Sequence, residues 1–529
     1  MRIQKIRLQI ARFISAYRLP IVSGLLIGTS YIPFPPWAIF FCMIPLWRFW
    51  DTTDSWKTAL IGGFVTQFVL NLIGFHWIEE TAREFGHIPA PLSLFVLLGF
   101  ACIAHLYFAV TGAIVVGLDK KLHFTTAQRI GLYITVFGFF EMAFPTIFPW
   151  HLGYTWLWAK FPAMQLADII GFQGLNILTL LFNGMLYLAW VTVSRKRSLQ
   201  IFATAVSIFA ALNFVGWSYG KEWQQSDAIL KVAPIQGNIG NLEKIYAQVG
   251  GQYQDQILNT YLRLTTEALS QQKADLIVWP ETAYPDNLDA AFSNSRLYER
   301  TREAIRTLQT PLLTGGYSED LELKKTYNGM FLFDENGQLV APPYRKTILL
   351  AFGEYFPGAK FFPWLPKLIP AISDFGAGSG PTVLNYKDLK IGPQICYEGL
   401  YPEFSAQLAA KGAEVFINVT NDSWFGKNFE PHQHLFMTLA RAIEMRRPLV
   451  RSTNTGITTA ILASGKVLQQ SPIHTEWFGV LEVPYKKNPP HTVYEKIAGF
   501  WIWTLAFVSL LLIVLAGGIR CSRLERSSK

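Results

Sequence analysis

The sequence predicts an α/β domain carried on a bundle of membrane-crossing α-helices. Of the 529 residues, 51% are apolar and only 16% are charged, a balance that excludes disordered and small secreted classes. Residues 58–78, 91–118, 198–220 and 497–519 contain no Asp, Glu, Lys or Arg, and each reaches the roughly 20 residues that cross a bilayer. From Gly220 to about Tyr494 charges return throughout, and strand signals alternate with helix signals.

Taken in order, residues 19–47 are uncharged but interrupted by Pro33, Pro35 and Pro36, and read as a hairpin of two spans. Residues 130–150 and 161–194 are apolar except for Glu141 and Asp168, acids that a span turns toward protein or a cavity. With a hairpin at 19–47, Arg48, Lys57, Lys120, Lys121, Arg129, Arg195, Lys196 and Arg197 share a side with the basic N-terminus, while Arg83 and Lys160 fall opposite. Positive residues collect on the cytoplasmic side, so the pattern predicts about eight spans with both termini cytoplasmic and the soluble segment outside. The net charge of +9 is therefore spent on topology and points to no nucleic-acid partner. No small-residue cleavage site follows the basic N-terminus, which reads as a retained anchor. The division expected is 1–220 as a bundle of about seven spans, 221–494 as a catalytic domain, and 495–529 as a last span and tail.

Within the domain, strands fit 229–235, 276–279, 312–315, 330–333, 391–395 and 415–419, with Asn336-Gly337 as a hairpin turn. Helices fit 252–270, 294–308, 401–411 and 431–446; in the last, Leu435, Leu439, Ala442 and Ile443 make one apolar stripe. Three segments place a reactive group just past a strand: Asp275-Leu276-Ile277-Val278-Trp279-Pro280 runs into Glu281, Tyr344-Arg345 into Lys346, and Lys390-Ile391-Gly392-Pro393-Gln394-Ile395 into Cys396. A thiol between a strand and a helix start sits near N–H groups that favour a thiolate and receive an oxyanion. Glu281 among apolar neighbours suits proton exchange with that thiol. Glu354 and Glu398 are expected to hold Lys346 and the Cys396 backbone in place.

The remaining features read more plainly. Cys42, Cys102, Cys396 and Cys521 suggest no disulfide framework. Residues 418–426, from Asn418 through Trp424-Phe425-Gly426, look like a turn-rich loop. His432 and His434 fall at a helix start, where packing is expected rather than metal ligation.

Trp279-Pro280-Glu281, Lys346 eight residues before Glu354, and Cys396-Tyr397-Glu398 resemble the Glu-Lys-Cys triad of the nitrilase superfamily. With the spans on either side, the whole chain resembles the bacterial apolipoprotein N-acyltransferases. Phe352-Gly353-Glu354-Tyr355, Asn421-Asp422-Ser423-Trp424-Phe425-Gly426, Gln433-His434-Leu435, Arg441-Ala442-Ile443-Glu444 and Arg451-Ser452-Thr453-Asn454-Thr455-Gly456 carry the match. The resemblance implies a nitrilase-like α-β-β-α sandwich, with Cys396 as nucleophile, Glu281 as general base and Lys346 as stabiliser of the tetrahedral intermediate. It assigns support to Glu354, Asn328, Tyr397 and Glu398, and lipid or substrate contact to Trp424, Phe425, Trp150 and Tyr154. Ala351, Ile245 and Phe144 depart from residues common in the family.

The activity implied is transfer of an acyl chain from a phospholipid to the α-amino group of a diacylglyceryl-cysteine at an apolipoprotein N-terminus. It runs through a thioester in a monomer in the inner membrane, with the domain in the periplasm and no cofactor. The rivals are a membrane-tethered amide or nitrile hydrolase, an acyltransferase acting within one lipoprotein, and a receptor or assembly factor with an inactive domain.

Overall fold

The computed structural model describes residues 2–527 apart from 241–242, 245–251, 290–294, 341, 360, 363 and 365–373, so Ile245 lies outside the described residues. Among the described residues, five helical segments are long and apolar enough to cross a membrane: Trp56–Gly74, Ala90–Leu122, Pro162–Val191, Arg195–Gln224 and Val493–Gly517. Gln4–Ala16 and Arg18–Gly28, bent by 70°, add a sixth if they count as one span. The four uncharged stretches and the one bearing Asp168 are thus recovered.

The two remaining expectations fall short of full spans. In 19–47 a helix ends at Gly28, turns occupy the stretch holding Pro33, Pro35 and Pro36, and only the short helix Ile44–Asp51 follows; each proline removes a backbone donor that a second long helix needs. The helix Thr126–Ala143 is 18 residues long and carries Arg129 and Glu141, and it stops just before Pro145. By length and composition the described spans therefore number five or six rather than eight. Arg195–Tyr219 buries only Ala205 and Gly216 and leaves Leu199, Phe202, Phe214 and Trp217 exposed, a surface suited to lipid. Elsewhere polar side chains join the segments: Asn183 Nδ2 donates to the Ile39 carbonyl (2.7 Å), and the His105 ring meets Asn71 Oδ1 at 2.6 Å.

Among the described residues the domain holds two sheets. Its strands are β1 (Ala228–Gln236), β2 (Leu276–Val278), β3 (Leu312–Asp320), β4 (Lys325–Phe333), β5 (Tyr344–Arg345), β6 (Leu384–Tyr386), β7 (Leu389–Ile395), β8 (Val415–Thr420), β9 (Leu449–Thr453), β10 (Thr459–Ile461), β11 (Trp477–Phe478) and β12 (Leu481–Tyr485). One sheet runs β11-β1-β2-β3-β4-β5, with β12 also on β1, and the other runs β10-β9-β8-β7-β6. β1, β2 and β3 are parallel, as are β7, β8 and β9. The sheets meet face to face where Ser452 Oγ of β9 donates to the carbonyls of Ile235 (3.3 Å) and Val278 (3.1 Å).

Helices α1 (Gln252–Gln271), α2 (Arg296–Leu308), α3 (Pro402–Ala410) and α4 (Glu430–Met445) flank the sheets, close to their expected bounds. On the first sheet, Ile257, Leu258, Tyr261 and Leu264 of α1 pack with Ile277 and Trp279, whose indole N–H donates to Thr265. The α4 stripe of Leu435, Leu439, Ala442 and Ile443 is fully buried, but so is nearly every other α4 residue. The reason is that α4 lies between the second sheet and the bundle: Gln433 Nε2 donates to the carbonyls of Ile32 and Gly74, both at 2.9 Å. A helix covered on two sides shows no solvent face. β6 and β9 to β12 have no counterpart among the expected strands: β6, β10 and β11 span only two or three residues, β9 carries Arg451, Ser452 and Thr453, and β12 alternates over only five residues, one of them Pro484.

Candidate active site

Each reactive side chain follows a strand, and the two sheets bring those strand ends together. Pro280 after β2 turns the chain at Glu281; Gly315 of β3 allows the closest approach there, since a Cβ on it would stand 2.7 Å from the Glu281 Cα. Lys346 directly follows β5, where its N–H donates to the Asn328 carbonyl of β4 (2.8 Å). Cys396 follows β7 and opens the short 3₁₀ turn Cys396–Leu400 at φ 52°, in the left-handed region. A residue with a Cβ costs about 1–2 kcal/mol there. The strand-to-helix presentation of the thiol expected from sequence is met, with a sharp bend at the thiol itself.

The polar core of the site is closely connected. Lys346 Nζ lies 2.8 Å from Glu354 Oε1 and 3.3 Å from Glu281 Oε1. Asn328 Nδ2 donates to the same two oxygens, at 2.7 Å to Glu281 and 3.2 Å to Glu354. Glu354 Oε2 accepts the Leu350 N–H (2.9 Å), so the loop after Lys346 folds back over its own ion pair. Glu398 joins the other half: its carboxylate accepts from the Tyr344 hydroxyl (2.6 Å) and the N–H groups of Thr347 (2.6 Å), Ile348 (3.2 Å) and Ile395 (2.8 Å). One acid thereby ties the lysine loop to the residue before the thiol. Glu281, Lys346, Glu354, Glu398 and Cys396 are all buried.

Burial sets the electrostatics. It pushes the Cys396 thiol well above its usual range and the Glu281 charge adds to this, while Lys346 and the Thr420 hydroxyl pull the other way. The resting sulfur is therefore held as a thiol, which a base must deprotonate before it attacks. Burial also opposes the Lys346 charge, but Glu354 and Glu281 outweigh it and keep the ammonium protonated. Burial raises Glu398 to about 7 against the pull of its donors.

The residues expected to contact lipid separate into groups. Phe425 packs edge-on against Trp77 and Phe148, and Phe148 packs on Tyr397, giving an aromatic wall beside the thiol. The Tyr397 hydroxyl donates to the Ile147 carbonyl, joining the nucleophile turn to the bundle. Trp424 instead meets Phe85, at 4.4 Å between ring centres. Trp150 packs among Tyr31 and Phe75 and bonds His105, and Tyr154 stacks on His151 and accepts from Arg441 at 3.4 Å. The structure thus engages these two with the bundle and its junction with α4.

Sequence reading missed two contributors. Lys244 Nζ donates to the Thr282 hydroxyl (3.1 Å) and lies 3.4 Å from the Glu281 carbonyl; a lone lysine in a polar stretch gives no such signal. Asn418, Asp422, His434 and Arg451 form a buried chain behind Cys396, which an arginine among the apolar and hydroxyl residues of β9 could have flagged. Asp422, Glu430 and His434 bring ligand-type atoms within 4.8 Å of one another, but Arg451 already donates to Asp422 there (2.7 Å).

The two-sheet domain with a Glu, Lys and Cys at converging strand ends defines the carbon–nitrogen hydrolase class. The carbon–nitrogen hydrolase family matches residues 231–484, and the apolipoprotein N-acyltransferase N-terminal domain matches residues 23–185. Over 525 residues the chain is 46% identical to an apolipoprotein N-acyltransferase of Bdellovibrio bacteriovorus, covering 97% of this chain and 95% of that one. It is 30% identical to one of Geobacter metallireducens, over 94% of this chain and 95% of the relative. The chain belongs to the apolipoprotein N-acyltransferase family. Among solved structures, a Saccharomyces cerevisiae member of branch 10 of the nitrilase superfamily is similar at 17% identity and a TM-score of 0.39, covering 52% of this chain and 95% of that one.

Proposed function

We propose that this enzyme moves an acyl chain from a phospholipid to the α-amino group of the diacylglyceryl-cysteine at an apolipoprotein N-terminus, by way of a thioester on Cys396. The observation that carries this reading is the convergence of Glu281, Lys346 and Cys396 beside an aromatic wall shared with the bundle. Glu281 takes the thiol proton as sulfur attacks the ester carbon. Lys346 and a backbone N–H at the Cys396 turn receive the oxyanion. Collapse of the tetrahedral intermediate expels a lysophospholipid, whose oxygen takes a proton back from Glu281. The acceptor amine then attacks the thioester, loses its proton to Glu281 and releases the thiol. A buried thiol suits this sequence, because a thioester kept from water survives until an amine arrives.

The proposed division is a helical bundle at 1–220, a catalytic domain at 221–494 and a final span with its tail at 495–529. The exposed apolar surface of Arg195–Tyr219 and the positive-side bias support a multi-pass protein of the inner membrane, with the domain in the periplasm and both termini in the cytoplasm. Eight spans remain the topology that this bias favours, the two short helical regions lying within the bundle. The working unit proposed is a monomer.

The test is the mass of a lipoprotein N-terminal peptide from membranes with and without this protein. Gain of one fatty acyl mass on the amine, dependent on Cys396, is the expected result. An unchanged peptide with free fatty acid accumulating would make the protein a hydrolase.

A further inference from the structure

Behind the thiol a chain of buried polar contacts leads away from the triad. The Cys396 carbonyl accepts from Asn418 Nδ2 (3.1 Å), and Asn418 Oδ1 accepts from Arg451 Nη1 (3.0 Å). Arg451 Nη2 donates to Asp422 Oδ2 (2.7 Å), and the other Asp422 oxygen pairs with His434 Nδ1 (2.9 Å), which also faces Glu430 (3.4 Å). Asn418, Asp422 and Arg451 have no measurable exposure, and Glu430 and His434 have 2% and 4%. Room for the Asp422 carboxylate comes from Gly456, where a Cβ would stand 2.0 Å from Oδ2.

The charges close on themselves. Burial opposes the Asp422 charge, but Arg451 and His434 outweigh it and hold that acid below its ordinary range. Burial and Arg451 work against the His434 cation, yet Asp422 and Glu430 raise it. The guanidinium is therefore anchored on its far side, and its near side is committed to Asn418.

The consequence lies in peptide geometry. A trans peptide is planar with its C=O and N–H pointing opposite ways, so whatever holds the Cys396 carbonyl also aims the Tyr397 N–H. That N–H belongs to the first turn of Cys396–Leu400, where backbone donors have no acceptor within the helix. Cys396 sits in the left-handed region, so the peptide needs outside contacts to keep its orientation.

We infer that Arg451 and Asn418 are positioning residues that fix the Cys396–Tyr397 peptide and thereby aim the Tyr397 N–H at the oxyanion. The inference rests on the reading of Cys396 as the acylated nucleophile. It predicts a split between two reactions of one sulfur. Acylation by an ester passes through an oxyanion and needs the aimed donor, whereas alkylation by iodoacetamide displaces iodide and forms no oxyanion.

The experiment uses the purified full chain and two variants that conserve charge, Arg451→Lys and Asn418→Leu. Single-turnover acylation by a phospholipid with a labelled chain is compared with the rate of iodoacetamide alkylation at Cys396. For at least one folded variant, judged by an unchanged melting temperature, acylation is expected to slow at least tenfold. Loss of one oxyanion donor costs about 10²–10³ in other enzymes. Alkylation should stay within about threefold of wild type. Acylation less than tenfold slower than wild type in every folded variant, or equal losses in both reactions, or the melting of both variants, would overturn the positioning role. Wild-type protein that alkylates at Cys396 but takes up no acyl label would instead overturn the nucleophile assignment beneath it.

Discussion

Replacing Lys346 with Met tests the electrostatics of the site, because the side chains match in length while one charge disappears. In the structure that ammonium is 2.8 Å from Glu354 and 3.3 Å from Glu281. At an effective dielectric of about 20, Coulomb's law gives roughly 5–6 kcal/mol for each contact. Without the cation, two buried carboxylates share only Asn328 and repel each other. The oxyanion also loses a donor, which costs about 10²–10³ in rate in other enzymes. Lys346→Met is thus expected to slow single-turnover acylation of Cys396 by at least about 10² at pH 7. A variant within tenfold of wild type at pH 7 would refute this reasoning.

Further predictions follow the other buried charges. Arg446 is fully enclosed, donating to Asp168 (2.7 Å), to the Gln165 side chain (2.7 Å) and to the Gln165 carbonyl (2.6 Å) across the junction of domain and bundle. Asp168→Ala leaves that guanidinium unpaired and should cost about 3–5 kcal/mol, read as a large drop in melting temperature in detergent. Glu398 is raised by burial from 4.5 to about 7. As pH rises through that window the unfolded chain ionises this carboxyl before the folded one, so wild type loses stability that Glu398→Gln does not. The melting-temperature gap between them should narrow from pH 4.5 to pH 8; a gap that stays flat or widens would show the folded acid ionised across this range.

How much of this was readable in the chain depends on the range of the contacts. Cys396 and Glu281 were legible as candidates because they come at, or just past, the ends of largely apolar strands, which are local signals; Lys346 follows only Tyr344-Arg345 and was picked out by its company with the other two. Glu354 was legible as a partner of Lys346 because eight residues allow a loop to return. Three of the four donors to Glu398 come from one segment, 344–348, about 50 residues away, and the fourth from Ile395 beside its own turn, and no local pattern announces the distant three. His434 was read as packing at a helix start, which it does, but its pairing with Asp422 needs β8 and α4 to be placed first. The span count of eight rests on the positive-side bias, whereas helix length and composition give five or six, because three prolines in 19–47 interrupt the helical backbone and only a short helix follows them. β9 escaped notice because Arg451, Ser452 and Thr453 are buried by polar partners, and a pattern search expects apolar ones.

The most direct measurement of the central claim is the covalent state of Cys396 when a donor is present and an acceptor is absent. Purified protein mixed with a phospholipid bearing a labelled acyl chain should acquire a hydroxylamine-sensitive label on Cys396, and Cys396→Ala should acquire none. Addition of a diacylglyceryl-cysteine peptide should then discharge the label onto the peptide amine. Steady release of free fatty acid before any peptide is added would contradict the transfer and make the enzyme a hydrolase, and an unlabelled wild-type Cys396, or label appearing on the peptide from Cys396→Ala protein, would contradict the thioester mechanism.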